Sequence, residues 1–110
     1  MPRVTITPSQ LIVGGVAFSP VAVETDGNAF PNTGNQLFYI KNSNAGTIVV
    51  TIQTPLTIEG IAVAEITKSI LTTEEFVFGT FSTHIFNQSN GEVWIDYDVA
   101  TSVTIQVFTQ

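Results

Sequence analysis

Residues 34–55, GNQLFYIKNSNAGTIVVTIQTP, carry the clearest period in the chain and decide the fold class. Ile48, Val50 and Ile52 alternate with Thr47, Val49, Thr51 and Gln53, the period of two of a strand that lays one face on a core. Upstream, Gln36 to Lys41 sets Phe38 and Ile40 on one side and Leu37 and Tyr39 on the other, so both faces of that strand are expected to be covered. Between the two, Asn42-Ser43-Asn44-Ala45-Gly46 supplies residues that tolerate left-handed backbone angles, the chemistry of a hairpin loop. The two strands are therefore expected to pair as a central hairpin.

Working outward, Val21 to Glu24 gives a short strand, and Asp26-Gly27-Asn28 and Pro31-Asn32-Thr33-Gly34-Asn35 form a turn-rich lead into the hairpin. Downstream, Leu56-Thr57-Ile58 continues an extended stretch before Gly60, Ile66 to Leu71 fits a strand at least as well as a helix, and Glu75 to Phe81 places Phe76 and Phe78 on one face. After a second Asn/Gly turn at residues 87–91, Glu92 to Asp98 and Ser102 to Phe108 read as a last hairpin across Val99-Ala100-Thr101. Short strands at this spacing, punctuated by Asn, Gly and Pro, predict an all-β fold. The expected architecture is an antiparallel β-sandwich or jelly-roll-like barrel of seven or eight strands with an extended N-terminal arm. Its core is expected to comprise Phe38, Ile40, Ile48, Val50, Ile52, Ile66, Phe76, Phe78, Val93, Ile95, Tyr97, Val103, Ile105 and Val107.

Residues 1–20 read differently from the 21–110 β-domain. Val4 and Ile6 alternate with Thr5 and Thr7, but Pro8, Gly14-Gly15 and Pro20 break the pattern three times. That punctuation suits an edge strand with a loop or an extended arm. Leu11, Ile12, Val13, Val16 and Phe18 make the segment apolar, so it needs a surface to lie on, either its own domain or a neighbour's.

The composition narrows the function classes. At 110 residues the chain is one domain, with a folded surface of roughly 5,900 Å² by size scaling. It contains no cysteine, hence no disulfide framework and no cysteine metal site. Charged residues make up 11%, against about 25% in ordinary soluble domains, so uncharged surface patches of contact size are expected. Arg3, Lys41 and Lys68 are scattered and the net charge is −6, so a phosphate backbone would be repelled and no nucleic-acid partner is expected. No apolar run approaches a membrane span, and MPRVTITPSQ has no apolar core of an export signal, so no membrane partner is expected.

Chemistry-bearing residues are few. His84 is the one histidine, in Ser82-Thr83-His84-Ile85, with no nucleophile signature around it, so a structural or solvent-facing role is expected. Glu74 and Glu75 would point apart. Asp96 and Asp98 share a strand face, the placement a hard cation needs, but no calcium-loop spacing accompanies them and a solvated face explains them. We expect no enzyme activity, no metal and no cofactor. Trp94 is more informative: Val93, Ile95, Tyr97 and Val99 make the apolar face of its strand, leaving Trp94 outward with Glu92, Asp96 and Asp98. It then anchors a protein contact, stacks on a sugar, or lies under residues 1–20. Phe108, outward beside Thr104 and Gln106, poses the same question. The candidate protein-contact residues are Val4, Ile6, Leu11, Ile12, Val13, Phe18, Trp94 and Phe108.

Together PRVTITP, the block DGNAFPNTGNQLFYIKNSNAGTIVVTIQTP, the later FGTF and the closing FNQSNGEVWIDYDVATSVTIQVF resemble small proteins encoded among tailed-phage head genes. The resemblance implies a capsid decoration or cement protein, located on the outer surface of the virion capsid and stabilising the shell. Its implied partners are the major capsid protein and further copies of itself, as a dimer or trimer on the capsid. Residues 1–20 would reach onto an adjacent subunit, so deleting residues 1–18 is expected to leave a folded domain unable to bind. A carbohydrate-binding β-sandwich module on a phage tail or cell surface, using Trp94 and the Asn/Asp loops, is the alternative.

Overall fold

The computed structural model describes residues 3–110; residues 1 and 2 of the N-terminal segment lie outside the described residues. In chain order the strands are β1 Val4–Thr5, β2 Ser9–Gln10, β3 Val21–Ala22, β4 Asn28–Pro31, β5 Gln36–Asn42 and β6 Ile48–Ile52. They continue with β7 Thr57–Ile58, β8 Ile61–Ala62, β9 Ile66–Ile70, β10 Glu75–Gly79, β11 Glu92–Tyr97 and β12 Val103–Thr109. A single helical turn, α1 Thr83–Phe86, interrupts the β10–β11 connection. The all-β class is as the sequence predicts; the helical turn is an addition to it.

The strands form two main sheets. The first runs β1-β4-β11-β6-β9, the second β10-β5-β12-β2 with β3 also on β12, and β7-β8 is a separate ribbon. Among the seven strands of four or more residues every pairing is antiparallel, whereas β1 lies parallel to β4 and β2 parallel to β12, so both sheets are mixed.

The pairing overturns the expected central hairpin. β5 pairs with β10 and β12 in the second sheet, while β6 pairs with β11 and β9 in the first. The Asn42–Gly46 loop is therefore an arch that carries the chain between sheets. The expected last hairpin is likewise an arch, since β11 lies in the first sheet and β12 in the second. Hairpin and arch loops draw on the same Asn and Gly residues, and a period of two fixes which face a residue takes without fixing its neighbouring strand.

Side chains from both sheets fill one core. Phe38, Ile40, Ile48, Val50, Ile52, Val93, Ile95, Val103, Ile105 and Val107 are buried as expected. Four expected members differ: Ile66 is exposed at the start of the edge strand β9, and Phe76, Phe78 and Tyr97 are partly buried against the core. Val23, Phe30, Ile70 and Phe81 belong to the core and were not expected there. Phe38 is the aromatic centre, stacked on Phe78 at 4.8 Å and on Phe81 at 5.7 Å, with Phe30 tilted at 6.0 Å.

Over its described part the N-terminal segment belongs to the domain and is not an arm reaching away from it. β1 closes the β4 edge of the first sheet and β2 the β12 edge of the second, with the change of sheet at Ile6–Pro8. Ile6 packs on the core and its N–H donates to the Ala29 carbonyl at 2.7 Å. Further on, Gln106 clamps residues 17–19 to the outer face of the second sheet: its amide oxygen accepts from Ser19 N–H at 2.8 Å and its amide nitrogen donates to the Ala17 carbonyl at 3.0 Å. Phe18 then stands edge-on to Tyr39 at 4.8 Å, which leaves Tyr39 only 9% exposed. Deleting residues 1–18 would thus uncover the edges of β4 and β12 and the core beside Ile6, and the shortened domain is not expected to keep its stability.

The pairing directions assign most loops to one of two ends. The starts of β5, β9 and β11 and the finishes of β4, β6, β10 and β12 lie together, with residues 11–15, 32–35, 53–65 and 80–91 beyond them; we call this the upper end. Residues 23–27, 43–47, 71–74 and 98–102 make the lower end.

Candidate interaction surface

At the upper end the chain leaves β2 with Leu11 N–H donating to the Thr109 carbonyl at 2.8 Å, and makes a turn closed by Gly15 N–H to the Ile12 carbonyl at 3.0 Å. It returns to the clamp at residues 17–19. This loop, held at both feet, lifts its apolar side chains into solvent. Ile12 is 58% and Val13 110% exposed, with Leu11 at 40% and Phe18 at 61%. Gly15 takes φ +97°, the left-handed region that glycine enters freely.

A second apolar projection lies at the same end. The β7-β8 ribbon pairs Ile58 with Ile61, which are 60% and 73% exposed. It is held at its base by Val63 N–H to the Leu56 carbonyl at 3.2 Å and by Thr54 hydroxyl to the Val63 carbonyl at 2.6 Å. Glu59 and Gly60 form its two-residue turn with φ +50° and +83°, the pair of positive angles of a type I′ hairpin. Sequence reading missed this element. Its signal was Ile58-Glu59-Gly60-Ile61, two β-branched residues flanking a Gly-containing pair.

The other expected contact residues fall elsewhere. Val4 is exposed on β1, and Ile6 is turned to the core. Phe108 is half-buried on the outer face of the second sheet, opposite Leu37 on β5 and Ser9 on β2. Trp94 is also half-buried. The Arg3 guanidinium lies over its ring, 4.6 Å from the centroid, so of the three readings of Trp94 the N-terminal cover is the one the geometry shows.

That cover rests on a small network. Arg3 Nη1 donates to Asp96 Oδ1 at 2.7 Å and to the Ile95 carbonyl at 3.0 Å, and Gln53 Nε2 donates to Asp96 Oδ2 at 2.5 Å. Gly27 is the position that admits it. A Cβ there would lie 2.8 Å from both Asp96 Oδ1 and the Ile95 carbonyl, and closer still to the guanidinium, on a backbone at φ +93°. Gly27→Ala is expected to cost about 1–3 kcal/mol through strain and displacement of Arg3, checked by denaturant unfolding and by a shift in Trp94 fluorescence.

The carboxylates that the sequence singled out are engaged in structure. Asp98 Oδ1 accepts from Val49 N–H at 2.7 Å, Glu92 accepts from the Thr5 hydroxyl at 3.0 Å, and Glu74 accepts from Leu71 N–H at 2.9 Å. Asn28 of the Asp26-Gly27-Asn28 turn is buried, accepting from Glu24 N–H and the Tyr97 hydroxyl and donating to the Val4 carbonyl. Among the described residues no three His, Asp or Glu side chains come together as a metal set, and the surface holds no enclosed pocket. His84 is exposed on α1.

Both tyrosines have displaced acidity. Burial, then the hydrogen bond to Glu75 and its charge, push the Tyr39 hydroxyl up to about 12; burial and the Asp96 charge push Tyr97 up as well. A hydroxyl whose folded pKa is raised contributes stability that is whole below the ordinary tyrosine range near 10 and is lost as pH climbs through the folded value. Phenolate absorbance of the folded protein is therefore expected to rise only well above pH 10, with unfolding; two tyrosines titrating normally in a folded chain would contradict the structure.

Comparison of the chain with protein-family models, curated proteins and solved structures returned no match in any of the three.

Proposed function

We propose that the protein is a non-enzymatic structural protein, a capsid decoration protein that binds the outer surface of a tailed-phage head and stabilises its shell of major capsid protein. The observation that carries this reading is the loop around Val13: a fully exposed aliphatic tip whose two feet are hydrogen-bonded to β12, one at its edge and one on the outer face of its sheet. Such a tip gains nothing within its own fold and gains when it is buried against another protein. Low charge leaves the rest of the surface compatible with close contact over a shell. Individually weak contacts suffice, because repetition over a closed lattice, together with contacts between neighbouring copies, multiplies them.

The test is shell stability. Heads assembled without the protein, from the major capsid protein of the same phage, are expected to withstand higher temperature and more denaturant once the purified chain is added. Shells that rupture at the same point with and without it would remove the stabilising role.

A further inference from the structure

We infer that the upper end of the molecule is a two-point docking surface for a different protein, one that offers two apolar sockets with a basic rim, and that it is not the contact between copies of this chain. The inference rests on the assembly reading above and names the surface through which it operates.

The Leu11–Gly15 loop and the β7-β8 ribbon rise from the same end but from opposite sides of it. β1 and β2 are joined by residues 6–8 and so share a side, and β9, at the foot of the ribbon, is the opposite edge of the first sheet. Four strand spacings separate those edges, about 20 Å. Each tip presents a pair of aliphatic side chains, Ile12 with Val13 and Ile58 with Ile61. A two-stranded ribbon is marginal in water on its own, and both its isoleucines face solvent. These are the properties of an element completed by a partner.

Charge selects the partner. The upper-end loops contain Glu59 and Glu65 and no Lys or Arg, while Lys41 and Lys68 lie on β5 and β9 and Arg3 is bound to Asp96. A second copy, of net charge −6 and without Lys or Arg in these loops, has no basic rim to offer, and an anionic lipid surface has none either.

The experiment measures binding of the wild-type chain and four variants to undecorated shells by sedimentation, with thermal melts to verify folding and light scattering to read self-association. The exposed sites allow substitution without touching the core. Val13→Asp and the pair Ile58→Thr/Ile61→Thr are each expected to weaken binding about tenfold or more. Leu71→Asp, on an exposed lower-end residue, is expected to bind as wild type. Glu59→Gln with Glu65→Gln is expected to weaken binding at low salt and flatten its salt dependence. If wild type binds and the tip variants bind equally well, the docking surface is overturned while the decoration role stands. If wild type does not bind shells, the role itself falls. A wild-type dimer that the tip substitutions dissociate would make the occupant a second copy and overturn the inference.

Discussion

Phe38→Ala is expected to destabilise the domain by about 3–5 kcal/mol, a large share of the roughly 5–15 kcal/mol that holds an ordinary domain folded. Phe38 is 0% exposed and sits where the layers meet: β5 carries it in the second sheet, Phe78 stacks on it from β10 of the same sheet, Phe30 reaches it from β4 of the first, and Phe81 closes over it from the loop before α1. Truncation removes the common partner of three rings whose backbones belong to different elements, so the void closes poorly. Denaturant unfolding checks it, as a large fall in midpoint at an unchanged slope. A loss under about 1 kcal/mol would mean that the two sheets do not share this aromatic centre.

Asn42→Ala is the second large effect, expected at about 2–4 kcal/mol. Asn42 is fully buried, and its amide nitrogen donates to the Gly46 carbonyl and the Ile70 carbonyl, each at 2.9 Å, while its amide oxygen accepts from Asn44 N–H at 2.8 Å. Its own backbone completes the junction, N–H to the Glu74 carbonyl at 3.1 Å and carbonyl from Thr73 N–H at 2.8 Å. One side chain thus ties the β5–β6 arch to the end of β9 and its turn into β10. Alanine would strand the buried Ile70 carbonyl, which water reaches poorly, and that costs more than the bond contributes while it is made. Asn42→Asp keeps the shape and loses both donors, and is expected to be nearly as damaging. Ser43→Ala, on the exposed neighbour, is expected to fall within about 0.5 kcal/mol of wild type.

These two residues also show what was legible in the sequence. Phe38 was, because it shares one side of its strand with Ile40 and both faces of that strand were expected to be covered, Leu37 and Tyr39 lying on the other. Asn42 was read as a loop residue tolerant of unusual backbone angles, when its work is done by a buried amide between sheets. The distinction is not local. Whether an Asn/Gly loop returns beside its own strand or crosses to the other layer depends on partners dozens of residues away: β6 lies against β11, and β5 against β12.

The same limit applies to the candidate surface. The aliphatic run Leu11-Ile12-Val13 before Gly14-Gly15 fits no strand period, and that marked it as a segment in need of a surface, its own domain's or a neighbour's. Ile58 and Ile61 carried no such mark, because β-branched residues beside a glycine look alike in a core strand and in a projecting ribbon. Ile6 and Trp94 were placed among contact residues because an outward or interrupted pattern leaves open what lies on top; Arg3 and the β1 pairing answer that from the far end of the sequence.

The central proposal is that this chain is a decoration protein of a phage head and attaches to its shell, and co-sedimentation of purified protein with undecorated capsids of that phage tests it most directly. The account predicts saturable binding at a fixed ratio to the major capsid protein. A folded protein that stays in the supernatant at every concentration would contradict it.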